Sequence, residues 1–205
     1  MKGNSVKDML KPLTELETVQ VGFLMISDFS LLAFSASVEP LRAANRLREK
    51  SLFSWVTAHL TDKIVKASNG LEVSTSGNIQ TLFNCRLVLI CSGTNVEKHT
   101  NKAILAIIRR LERSGIIVGA ICSGTYILAK AGMLNDRRCT IHWENIDAMR
   151  EEFPHLEITN DLFTDNNEDI LMTTSTATTA LNVGVLSKQN VLKKRSTLGP
   201  FPSSN

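Results

Sequence analysis

Short apolar runs alternate along this chain with longer stretches in which apolar residues recur three and four positions apart. Residues 19–26 (VQVGFLMI) form a nearly continuous apolar run, as a strand buried on both faces does. Residues 31–50 (LLAFSASVEPLRAANRLREK) then carry helical spacing and end in Arg and Lys, which suit a helix C-terminus. Pro40 either starts a new helical segment there or kinks the existing one. Residues 53–60 (FSWVTAHL) read as a strand, and Asn69-Gly70 within 64–74 signals a hairpin between two short strand-like pieces. The most apolar strand candidate is 86–91 (RLVLIC), followed by the loop Ser92-Gly93-Thr94-Asn95. Residues 101–114 form an amphipathic helix closed by Gly115. Residues 116–121 (IIVGAI) are another buried strand, 123–131 a helix with Gly132 after it, and 139–141 a short strand ending at His142. A helix over 145–153 is stopped by Pro154, short strands follow at 156–160 and 170–174, and 181–186 begins a further helix.

Strands alternating with helices predict an α/β fold with a mostly parallel sheet and helices on both faces. In such sheets ligands sit beyond the carboxyl ends of the strands. Residues 1–18 read as an N-terminal extension and 19–187 as one domain. The segment 188–205, with Lys188, Lys193, Lys194 and Arg195 followed by GPFPSSN, reads as a polar basic tail.

Composition narrows the function classes. With 205 residues, 43% hydrophobic and 21% charged, the chain can bury a core without staples. A formal charge of +3 is too small to argue for nucleic acid or an anionic membrane. Charges are scattered through the first twenty residues and no apolar run reaches membrane-spanning length, so neither a signal peptide nor a membrane span is expected. Cys85, Cys91, Cys122 and Cys139 form no C-x-x-C pair and no zinc spacing with histidine. Free thiols in a reducing cytoplasm, with no metal and no cofactor, are the expectation.

Cys122 stands apart from the other three. Gly119-Ala120-Ile121-Cys122-Ser123-Gly124-Thr125 joins an apolar strand directly to a helix, with small residues two positions either side of the cysteine. The pattern is similar to the G-x-S-x-G nucleophile elbow, with Cys for Ser and Ala for the first Gly. Such a turn lifts the side chain toward solvent and sets the sulfur at the positive end of the helix, which favours the thiolate. The backbone N–H groups after it are placed to bind an oxyanion. The alternative is a small buried core thiol, which is how Cys85, Cys91 and Cys139 read. Two residues are candidates to complete a constellation. His142 could orient or deprotonate the thiol. Glu39 could share a proton with it or position a water. Each has an ordinary alternative, His142 as a bonded residue at a helix start and Glu39 as a helix-surface carboxylate. His59, His99 and His155 read as structural or surface residues.

The runs IIVGAICSGTYILAKAGML (116–134) and DRRCTIHWE (136–144), with FSLLAF and VEPLRAANRL between Phe29 and Leu47, resemble the ThiJ/PfpI group of the class I glutamine amidotransferase-like superfamily. The resemblance is closest to the sensor domain at the N-terminus of AraC-type transcriptional regulators, and it spans roughly Val19 to Leu186. It implies a flavodoxin-like three-layer sandwich. It also implies a pocket lined by Cys122, Ser123, Gly93, Thr94, His142, Trp143 and Glu39. In enzymatic branches a Cys, a His and an acid act together, roles that map onto Cys122, His142 and Glu39. In the regulator branch the pocket takes a small metabolite, amine or amino-acid-like. With two Trp and one Tyr in the chain, Trp143 is the best aromatic contact for an ammonium group.

The chain departs from the pattern in two places. Relatives carry a Gly-Gly pair where Thr176-Ala177 stand here, and no helix-turn-helix region follows before Asn205. The chain therefore reads as a shortened regulator, an isolated sensor domain or a degenerate product, contacting DNA only through a C-terminal domain absent from it. The expected function is ligand sensing and homodimerisation for an AraC-type regulator. The alternative is a small thiol-dependent hydrolase, hydratase or glyoxalase-like enzyme.

Overall fold

A computed structural model describes residues 18–49, 51–135, 137–161, 163–164 and 173–174. Strand β1 (Val19–Met25) leads to α1 (Leu31–Arg48) and β2 (Phe53–Ala58). The hairpin β3 (Ile64–Lys66) and β4 (Glu72–Ser74) precedes α2 (Ile79–Leu82), β5 (Leu87–Cys91), α3 (Val96–His99) and α4 (Lys102–Arg113). Strand β6 (Ile117–Ile121) runs into α5 (Gly124–Lys130). After β7 (Arg138–Cys139), a 3-10 turn (Trp143–Asn145) opens α6 (Ile146–Glu152), followed by β8 (Glu157–Ile158), β9 (Phe163–Thr164) and β10 (Thr173–Thr174).

The main sheet has the order β2-β1-β5-β6-β10-β9. Every pairing in it is parallel except the edge pair β9–β10. Alternation of side chains across the strands divides the core in two. Val21, Phe23, Met25, Leu87, Leu89, Cys91 and Ile121 point to one face, where Ala33 and Leu41 of α1 and Val65 of the hairpin cover them. Leu24, Val88, Ile90, Val118 and Ala120 point to the other, under Ile104, Ile108 and Leu111 of α4 and Ile127 and Leu128 of α5. Helices therefore cover both faces of a mostly parallel sheet, the flavodoxin-like arrangement.

The 31–50 stretch is one helix with Pro40 inside it, not two helices. Ser30 Oγ accepts the Ala33 N–H at 3.2 Å to start it, and Glu49, at φ 51°, turns the chain out. The strand expected at 139–141 is Arg138–Cys139, paired in parallel with β8 in a small separate sheet. The N-terminal extension, the helix expected at 181–186, Thr176-Ala177 and the basic tail lie outside the described residues. Among the described residues no helix is long and apolar enough to cross a membrane.

Candidate functional site

The carboxyl ends of β1, β5 and β6 lie side by side, and each is followed by a tight turn. Three of the four non-glycine residues with positive φ sit there: Asp28 (61°), Asn95 (56°) and Cys122 (59°). A β-carbon is crowded in that region, so three such residues at one sheet edge mark a backbone held by its surroundings. At Cys122 the constraint is direct. Helix α5 starts at Gly124, with only Cys122 and Ser123 between it and the strand, and a β-carbon on Gly124 would lie 2.5 Å from the Ile90 carbonyl oxygen. At the end of β5, a β-carbon on Gly93 would lie 2.2 Å from the Asp28 carbonyl oxygen. Ser123 Oγ donates to the Gly93 carbonyl and ties the two turns together.

The thiol differs from expectation in both exposure and ionisation. Cys122 is 6% exposed, packed into the core cluster that contains Phe29, Val65, Ala67 and Cys91. Burial pushes its pKa up to about 11, Ser123 hydrogen bonds pull the other way and lose, and the Glu144 carboxylate raises it further. Loss of solvent therefore outweighs the polar groups of Ser123 that favour a thiolate at this turn. Cys91 is also a buried thiol pushed up by burial, and the nearby Cys122 adds to that shift.

His142 approaches from the segment after β7. The Thr125 hydroxyl of α5 donates to the Thr140 carbonyl at 2.8 Å, and the Thr140 hydroxyl donates to the Asp161 carbonyl at 2.6 Å, with both threonines fully buried. This fixes the strand end on which His142 stands. Its ring lies 5.8 Å from the Trp143 ring at a 35° tilt, and its Nδ1 lies 3.7 Å from Glu144 Oε2. Among the described residues no hydrogen bond joins Cys122 to His142. Trp143 is 68% exposed and offers an open aromatic face.

Glu39 is not part of this grouping. It sits on the solvent side of α1, bonded to Arg42 Nε at 2.8 Å and Nη2 at 2.6 Å. Arg42 holds its carboxyl below the usual range. The α1 side chains that join the Cys122 cluster are Ala33 and Leu41, with Leu31, Phe34 and Val38 packed against it. The acid that reaches the thiol electrostatically is Glu144, two residues after His142 in the DRRCTIHWE run. Of the expected pocket residues, Ser123 is buried, Gly93 and His142 are half-buried, and Thr94 and Trp143 are exposed.

A second set went unassigned in the sequence. Asp28 Oδ2 accepts from Asn95 Nδ2 at 3.1 Å and lies 3.0 Å from His99 Nε2. These hydrogen bonds hold the Asp28 carboxyl below its usual range. The only sequence signal is position, since Asp28 and Asn95 lie in the turns after β1 and β5, three and four positions past the strand ends, and both types tolerate left-handed backbone. Among the described residues no group of three or more His, Cys, Asp or Glu side chains is arranged to hold a metal ion.

Chemically, the edge offers a neutral thiol, an exposed indole, a carboxylate and half-buried backbone. A neutral thiol is a weak nucleophile near neutral pH, and an exposed indole face can accept a cation.

Comparison with known proteins agrees with this architecture. The model of the DJ-1/PfpI family matches residues 25–193. The HTH-type transcriptional regulator CdhR of Pseudomonas aeruginosa is 38% identical over 141 residues, 69% of this chain and 42% of that protein. The HTH-type transcriptional regulator GlxA of Rhizobium meliloti is 38% identical over 138 residues, 67% of this chain and 43% of that protein. The chain thus spans less than half the length of these relatives. Among solved structures, an AraC family transcriptional regulator from Pseudomonas putida superposes with a TM-score of 0.73 at 23% identity, covering 88% of this chain and all of that one. Drosophila melanogaster DJ-1beta superposes with a TM-score of 0.67 at 16% identity, covering 91% of this chain and all of that one. At these identities the two structures speak to the fold alone.

Proposed function

The chain belongs to the DJ-1/PfpI family, and on that footing we propose that it is the ligand-sensing and dimerisation domain of an AraC-type transcriptional regulator acting in the cytoplasm. Support comes from the HTH-type regulators it matches over about two thirds of its own length. The site supplies the chemistry. The pocket residues are Cys122, Ser123, Gly93, Thr94, His142 and Trp143, with Glu144 taking the acidic place expected of Glu39. The ligand is a small amine or amino-acid-like metabolite, its ammonium group against the Trp143 face and the Glu144 carboxylate. DNA is contacted through a helix-turn-helix region outside this chain.

One observation carries the reading: the cysteine at the turn is buried in the core cluster, and that burial pushes its thiol up to about 11. A hydrolase or glyoxalase-like enzyme needs a thiolate there, and at pH 7 such a thiol holds roughly one part in ten thousand as thiolate. The His142–Glu144 pair beside it is the one feature that favours chemistry.

A thermal-shift panel of primary, quaternary and amino-acid amines tests the proposal. A ligand at about one hundred times its dissociation constant stabilises by about 2.7 kcal/mol, which raises Tm by roughly 5–10 °C in a chain of this size. No shift with any amine, together with turnover of methylglyoxal, would establish the enzyme reading instead.

A further inference from the structure

We propose that Asp28, clasped by Asn95 and His99, is a positioning residue that keeps the Cys122 site closed. His99 Nε2 and Asn95 Nδ2 both meet Asp28 Oδ2, so α3 and the turn before it grip the turn after β1. Asp28 and Asn95 both hold left-handed backbone, and the side-chain bond between them links the two strained positions. The Asp28 backbone then sets the neighbouring loop. Its N–H donates to the Lys66 carbonyl at 2.9 Å, and its carbonyl accepts the Thr94 N–H at 3.1 Å. Gly93 lies against that same carbonyl with no room for a β-carbon. The Gly93 carbonyl in turn receives Ser123 Oγ, and Ser123 is the residue that directly follows Cys122 in the turn. Hydrogen bonds and short backbone links therefore run from a half-exposed His–Asp pair to Ser123, the neighbour of the buried cysteine.

This deepens, and rests on, the reading of the Cys122 site as a binding pocket. The clasp sits on the outer side of the Gly93–Thr94 turn. Releasing it frees the turn that Ser123 holds, and the thiol beneath becomes accessible. Lys66 lies near Asp28, and His59 lies near His99.

The test is iodoacetamide labelling of the full chain at pH 8.5, with each cysteine read separately by peptide mass spectrometry. Asp28→Ala and His99→Ala should label Cys122 about tenfold faster than wild type, the loss of one hydrogen bond to a charged group. Cys91, 1% exposed in the same cluster, should label no faster. His99→Gln keeps an N–H donor and should restore slow labelling. Asp28→Gly removes the clasp while relieving the backbone, so it should label as fast as Asp28→Ala. Unchanged Cys122 labelling, equal acceleration of Cys91, or no rescue by His99→Gln would overturn the proposal. Labelling needs no ligand, so it fails or succeeds independently of the amine panel.

Discussion

At pH 8 a cysteine with the ordinary pKa of 9.0 is about one tenth thiolate, whereas Cys122, at about 11, is about one thousandth thiolate. Only the thiolate reacts with iodoacetamide, so Cys122 should label about one hundredfold more slowly than an unperturbed thiol, before any steric shielding. The absolute rate mixes ionisation with access, and the pH profile separates them. For a thiol at about 11 the rate rises about tenfold for each pH unit from 7 to 10 without levelling. Glu144 raises the thiol pKa by like-charge repulsion, so Glu144→Gln should move the whole profile to lower pH and speed labelling at pH 8. The assay is timed labelling, acid quench and quantitation of the Cys122 peptide, with Cys91 as the reference for opening of the whole domain. A profile that levels off below pH 9 while Cys91 stays unlabelled would refute the argument that desolvation beats the turn's hydrogen bonds. A profile unmoved by Glu144→Gln would refute the assignment of Glu144 as the acid facing the sulfur.

Three further outcomes follow from the packing. Gly124→Ala sets a β-carbon 2.5 Å from the Ile90 carbonyl oxygen, and the overpacking should cost about 1–3 kcal/mol, seen as a Tm about 5 °C lower in calorimetry. Thr125→Val deletes the donor to the buried Thr140 carbonyl and should cost about 1–3 kcal/mol in urea unfolding, with faster hydrogen exchange in residues 138–142. Asp28 has a folded pKa below its unfolded one, so its stabilisation is present above the unfolded value and lost as pH falls through the folded one. Asp28→Asn should therefore reduce stability at pH 6–7 and flatten its decline below pH 4, measured by chemical denaturation across that range.

Much of the fold is legible in the chain because its strands are buried on both faces. Residues 19–26, 86–91 and 116–121 contain the strands that form the centre of the sheet, and the Asn69-Gly70 turn lies between β3 and β4. The four-residue helices α2 and α3 carry too few turns to show a period. At the site, the small residues Ala120 and Gly124 predict a close turn, and the Ile90 carbonyl is the backbone that passes against Gly124. The burial of Cys122 is not local information. Phe29, Val65 and Ala67 reach it from distant stretches of chain, and no spacing around the cysteine records them. Glu39 was separable in principle: the buried α1 positions Ser37 and Leu41 lie two residues either side of it, which puts Glu39 on the opposite face. The His99–Asp28 pair spans 71 positions, so its two residues read singly as surface groups.

The central claim is that the Cys122 edge binds a small amine through Trp143 and Glu144. Calorimetric titration of the strongest stabiliser from the amine panel into the wild-type chain, Trp143→Ala and Glu144→Gln tests it most directly. Saturable binding to wild type, weakened about tenfold or more by each substitution, is the predicted result, as expected for a lost cation–π contact or a lost charge-assisted bond. Binding of equal strength to all three chains, or to none, would contradict it.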